Sequence, residues 1–163
     1  MAETHPDTEA VQRMWGEFTA ATGVEGELVG SFAFGDSPKM ADDLAQLVLT
    51  GPKRATAGLH LEYVRDGEAI PRPGDHWIVL DGRGGPVCVI RTTRVDIEPL
   101  DRVDAAFAWD EGEGDRTLAW WRQAHDRFFG RQCETFGIPF TGSLLVVLER
   151  FDLAWPAAAT VDG

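Results

Sequence analysis

Apolar residues recur at i, i+3, i+4 and i+7 in Val11, Met14, Trp15 and Phe18, with Gly23 after them. That spacing predicts an amphipathic helix capped by Asp7 or Thr8 and closed by the glycine. A loop rich in Gly and Glu and the run Phe32-Ala33-Phe34-Gly35-Asp36 lead to Ser37-Pro38, an N-cap followed by proline at the first helical position. Ala41, Leu44, Ala45 and Val48 form the stripe of a second helix, which Gly51 ends and Pro52 keeps from resuming. The period then falls from 3.6 to 2. In 55–63, Ala57, Leu59, Leu61 and Tyr63 alternate with Thr56, Gly58, His60 and Glu62, which predicts a half-buried strand. Pro71 to Asp75 reads as a turn, His76 to Leu80 as a short strand, Asp81 to Gly85 as a hairpin loop and Val87 to Ile97 as another strand. Together these predict an antiparallel meander.

Further on, Asp101 is placed to cap a short turn through Phe107. Asp115 is placed to cap a helix from Arg116 to Phe129 with Leu118, Trp121, His125 and Phe128 on one stripe. Leu144 to Leu153 reads as a final strand. Helices first, strands in the middle, then a helix and a returning strand predict an α+β fold, a small barrel or curled antiparallel sheet flanked by helices. No repeat, linker or low-complexity tract divides the chain, so one domain over 1–163 is expected, with its core at about 10–154 and flexible ends at 1–7 and 156–163.

Charge changes this picture in one respect. The chain has 15 Lys plus Arg against 27 Asp plus Glu, a net charge of −12, which opposes general binding to polyanions or to anionic membranes. The distribution is uneven. Residues 1–50 hold nine acids and two bases, 51–100 seven of each, and 101–163 eleven acids and six bases. The neutral middle, with Lys53, Arg54, Arg65, Arg72, Arg83, Arg91 and Arg94, is where a local anion or nucleotide contact is expected, unless these residues simply decorate solvated strand faces. Two cysteines without Cys-x-x-Cys spacing exclude a disulfide scaffold and a zinc finger. The N-terminus is polar and acidic, and no apolar run reaches about 18 residues, so a soluble cytoplasmic protein is expected.

Three features carry candidate chemistry. Lys39 and Lys53 are the only lysines, and a lysine desolvated beside Arg54 can lose its proton, as arginine cannot. A neutral Lys53 could serve as general base for a Thr56 nucleophile, or Thr56 could orient a bound carbonyl; the plain alternative is a solvated lysine on a helix-ending loop. In Asp110-Glu111-Gly112-Glu113-Gly114-Asp115, capping accounts for Asp115, whereas the glycines would let Glu111 or Glu113 turn inward. A calcium loop fails, because its twelfth position falls on Arg122 or Ala124, and no metal or other cofactor is expected. The aromatics Trp120, Trp121, Phe128 and Phe129 read mainly as core, and His125 as a hydrogen-bonded core histidine or a site residue. No Ser-His-Asp set and no dinucleotide fingerprint are present.

Phe34-Gly35-Asp36-Ser37, Ala41-Asp42-Asp43-Leu44, Leu49-Thr50-Gly51-Pro52-Lys53-Arg54-Ala55-Thr56-Ala57, Pro73-Gly74-Asp75, Ile90-Arg91-Thr92-Thr93, the Glu111 to Asp115 loop and His125 with Phe128-Phe129 together resemble an ASCH domain protein. The resemblance implies a PUA-like fold, a small β-barrel flanked by helices. It also implies either of two functions. The first is hydrolysis of the amide of N4-acylated cytidine or a similar modified nucleoside, with Lys53, Thr56 and Glu113 as the catalytic set and Glu111 as the alternative carboxylate. Arg54, Tyr63, Trp77, Glu111 and His125 would then hold the substrate. The second is a non-catalytic module that binds RNA or a nucleotide in the same cleft. A modified nucleoside or a short single strand is the expected partner.

Overall fold

The computed structural model describes residues 5–156, so the expectation of flexible ends falls largely outside the described residues. In chain order the elements are α1 (Thr8–Thr22), β1 (Gly30–Ala33), α2 (Pro38–Leu49), β2 (Ala55–Leu59), α3 (His60–Asp66), β3 (His76–Leu80), β4 (Pro86–Pro99), a single 3-10 turn (Leu100–Arg102), α4 (Ala105–Glu111), α5 (Leu118–Phe136) and β5 (Leu145–Trp155). The strands follow the order β1-β3-β4-β5-β2, and the fold is α+β as expected. The sheet is mixed, however, and not a plain antiparallel meander: β1 runs parallel to β3, and β2 pairs antiparallel with β5.

The chain forms two compact units, one of residues 5–51, 73–93 and 151–156, the other of 52–72 and 94–150. In the first, Val11 and Phe18 of α1 pack with Ile78, Leu80 and Val89. Ala45 and Val48 of α2 pack with Val79, Cys88, Ile90 and Phe151. The caps are those the residues suggest. Asp7 accepts from the Ala10 amide, Ser37 accepts from the Met40 amide, and Gly23 closes α1 in the left-handed conformation. In the second unit, Ala55, Leu59, Val146 and Leu148 from β2 and β5 meet Phe107 of α4 and Trp121, Phe129 and Cys133 of α5.

Three expectations about element boundaries are corrected here. The strand expected over 55–63 stops at Leu59, and the chain turns into α3. Gly67, left-handed at φ 65°, closes that helix by donating to the Tyr63 and Val64 carbonyls, and β5 offers partners only to Ala55–Leu59. The helix before Gly112 is capped by Asp104, not by Asp101, since Asp104 accepts from the Phe107 amide. Helix α5 begins after Thr117, which accepts from the Trp120 amide, while Asp115 accepts from Thr117. It continues past Phe129 because a helical glycine at 130 weakens a helix without stopping it, and the left-handed Gly137 is what ends it.

Candidate active site

The site grows from the meeting of two loops in the second unit. Pro52 and Lys53 lead into β2, and the Arg54 amide donates to the Asp110 carbonyl at 2.7 Å, tying that segment to the last turn of α4. Gly112 then leaves the helix at φ 68° with its Cα against the Lys53 backbone; a Cβ there would lie 2.8 Å from the Lys53 nitrogen. Gly114, at φ 59°, lies on the Trp120 indole, where a Cβ would fall inside the ring contact. Glycine is required at both positions for conformation and for space. Arg116 adopts φ 65° and is the described non-glycine residue with positive φ. Its amide donates to the Glu113 carbonyl, its Nε donates to the Trp109 carbonyl, and its guanidinium stacks 3.6 Å above the Trp109 ring. The loop is thus pinned at both ends, with Glu111 and Glu113 turned toward Lys53.

Lys53 is 1% exposed. Its ammonium donates to the Ala55 carbonyl at 2.8 Å, to Glu113 Oε2 at 2.9 Å and to Glu111 Oε1 at 3.0 Å, with the Glu111 carbonyl oxygen a further acceptor at 3.4 Å, so its three N–H bonds are all engaged. Burial works against the charge, but the two carboxylates outweigh it and raise the pKa. The lysine is therefore held as an ammonium, contrary to the proton loss suggested by Arg54 beside it in sequence. The Arg54 guanidinium is directed to the Lys53 carbonyl at 2.6 Å.

The two carboxyls have different surroundings. Glu111 is 1% exposed, and its Oε2 accepts from the Trp121 indole and from His125 Nε2, the latter at 3.2 Å. Burial opposes its charge, yet Lys53, His125 and these donors hold its pKa well below the carboxylate range. Glu113 keeps 16% of its side chain open. Burial, with the like charge of Glu111, raises its pKa against the pull of Lys53. His125 stacks on Trp121 with centroids 4.0 Å apart. Its burial is outweighed by Glu111, and its pKa is raised.

Of the residues singled out from sequence, the structure gathers Lys53, Glu111, Glu113 and His125, with Arg54 alongside. Thr56 stands elsewhere. Alternation along β2 turns it to the face opposite Ala55 and Ala57, in register with Glu149 of β5. Among the described residues its hydroxyl makes no hydrogen bond to Lys53 or Glu113. Tyr63 lies on the same face as Thr56, its ring against Gly58, and its phenol pKa is pushed up by burial and then by Glu149 and Glu62. Trp77 belongs to the first unit, where it packs edge-on against Phe32. Sequence reasoning treated Trp121 as plain core and passed over Glu149. The signal for Trp121 was its place four residues before His125; for Glu149 it was an acid directly after the apolar run Leu144 to Leu148.

A shallow cavity of about 360 Å³ over α5, lined in part by Arg127, Gly130, Cys133 and Phe140, shares no residue with this cluster. Burial pushes the Cys133 thiol pKa up, which is the wrong direction for a nucleophile. Among the described residues no three His, Cys, Asp or Glu side chains are placed to hold a metal ion.

The sequence model of the ASCH domain matches residues 30–154. The chain belongs to the ASCH domain family. A crystal structure of an ASCH domain from Lactobacillus crispatus JV V101 is similar at a TM-score of 0.82 and 34% identity, covering 90% of this chain and 94% of that one. A crystal structure of a protein from Enterococcus faecalis V583 is similar at a TM-score of 0.81 and 32% identity, covering 91% of each chain. No curated protein matches. The α+β, PUA-like fold of ASCH domains is thus the fold of this chain. Helix α1 precedes the matched segment, and no described helix is long and apolar enough to cross a membrane.

Proposed function

We propose that this ASCH domain protein hydrolyses the amide of an N4-acylated cytidine or a similar modified nucleoside. One observation carries the reading: a buried ammonium, Lys53, holds two carboxyls, of which Glu113 is the more open and has a raised pKa. Amide hydrolysis needs a cation or donor where the oxyanion forms, and a group that takes a proton from the attacking oxygen and returns one to the leaving amine. Lys53, whose N–H bonds are already engaged, serves the first task through its charge, and Glu113 serves the second. Water attacks the acyl carbon and passes a proton to Glu113. The C–N4 bond breaks as Glu113 protonates the amine, and the acyl group leaves as a carboxylic acid that gives its remaining proton to solvent. Thr56 and Tyr63, on the other face of β2, take no part in this scheme, and Arg54, beside Lys53, is the residue left to hold the base. The reading is tested by chromatography of N4-acetylcytidine incubated with the wild-type protein and with Lys53→Ala. Cytidine from the wild type and a loss of about 10²–10³-fold in the variant are expected; no cytidine from the wild type refutes it.

A second reading, a binding module for RNA or nucleotides, is favoured by Trp109. This indole is 57% exposed beneath the Arg116 guanidinium, an aromatic and arginine pairing suited to stacking a base.

A further inference from the structure

Both ring nitrogens of His125 face oxygen acceptors. Nδ1 is 2.9 Å from the Trp121 carbonyl oxygen and Nε2 is 3.2 Å from Glu111 Oε2. A neutral imidazole has a single N–H, so one of these contacts would oppose two lone pairs; the imidazolium donates to both. The charged groups facing it are Glu111 at the end of α4 and Glu113 in the loop beyond, with Lys53 on the far side of Glu111. From its own helix it meets the uncharged rings of Trp121 and Phe129.

Glu111 therefore stands between two cations, His125 on Oε2 and Lys53 on Oε1. Both of its oxygens accept hydrogen bonds, Oε1 from Lys53 and Oε2 from Trp121 and His125, and it is closed to solvent. A carboxylate held this way is a poor proton carrier. Glu113, bonded to the same ammonium and partly open, is the group left to exchange a proton.

We propose that His125 is a positioning residue of this site: as an imidazolium it fixes the ionised Glu111 on Lys53, and its charge lowers the cost of ionising Glu113. The inference rests on the reading of Glu113 as the proton-carrying group, and it assigns His125 an action through Glu111 with no contact to substrate. With His125 charged, the two cations balance the two carboxylates. Without that charge the buried group carries one excess negative charge, and Glu113 holds its proton more tightly.

The test is an NMR titration of the full chain labelled at the glutamate carboxyls and the histidine rings. In the wild type, His125 keeps both ring protons at pH values where an ordinary imidazole has lost one. In His125→Gln, which retains an N–H donor for Glu111 but no charge, the Glu113 midpoint moves up by about one pH unit, tenfold in proton affinity. A Glu113 midpoint unchanged in a folded His125→Gln protein overturns the inference. So does a wild-type His125 that is singly protonated at neutral pH, a result that needs no variant to fold. A purely structural role would lower thermal stability and leave the Glu113 midpoint where it was. None of these readouts depends on turnover, so a failure to release cytidine refutes the hydrolase reading separately.

Discussion

Glu111 is the residue on which the site's energetics turn. A buried carboxylate is costly unless its oxygens find donors and its charge a counter-charge, and here Lys53, Trp121 and His125 supply them. Removing such a partner strands a buried charge. Glu111→Ala is therefore expected to destabilise the protein by about 3–5 kcal/mol, read by urea denaturation, and a loss under about 1 kcal/mol would show that Lys53 finds another counter-charge. The pH dependence has a sign for each group. The Glu111 pKa is lowered in the folded state, so its contribution is present above the ordinary carboxylate range and is lost as the pH falls below that range. The His125 pKa is raised, so its contribution is full below the ordinary histidine value and is lost as the pH rises through the raised value. Stability followed against pH should fall on both sides of that window, and Glu111→Gln should flatten both slopes. Much of this was legible: Lys53, Glu111, Glu113 and His125 were all singled out in the sequence. The ionisation of Lys53 was not, because its state is set by carboxylates some sixty positions away in sequence, whereas Arg54 is its chain neighbour.

At the scale of elements, the junction of α4, its loop and α5 shows what glycine spacing can and cannot reveal. The alternation of carboxylates and glycines pointed to an inward-turned loop, and the structure supplies the reason. Gly112 rides on the Lys53 backbone and Gly114 on an indole. Gly112→Ala meets backbone, which cannot yield, and takes a left-handed residue out of its preferred range. Gly137→Ala meets nothing within 4 Å and bears only the conformational cost. The expected losses are about 1 kcal/mol at Gly137 and clearly more at Gly112, and equal midpoints in paired thermal melts would contradict the packing argument. The error over 55–63 has an equally local cause. Leu59, Leu61 and Tyr63 keep an apolar period of two, yet the helix that follows β2 is seven residues long, too short to declare its own period. The start of α5 was misplaced because Asp115 and Thr117 both have capping chemistry, and Asp115 uses its carboxylate on Thr117.

Over the whole molecule, the α+β class and the family could be read from the order of elements and from motifs, while the strand pairing could not. β1 is four half-buried residues without alternation, and its parallel partner β3 lies more than forty positions away, so nothing local announces it. The charge is also a property of the whole. With a net −12, tight binding to long polyanions is disfavoured, whereas a neutral nucleoside is indifferent to it. Turnover of N4-acetylcytidine should therefore change little with added salt, while an RNA-binding module should lose affinity steeply over the same range. The most direct measurement is the rate of cytidine release from N4-acetylcytidine by the wild type, Glu113→Gln and Thr56→Ala side by side. With Glu113 carrying the proton and water attacking, the wild type turns over, Glu113→Gln falls by about 10²–10⁴-fold and Thr56→Ala falls less. Absence of release by the wild type, or a Glu113→Gln protein as fast as the wild type, would contradict the assignment.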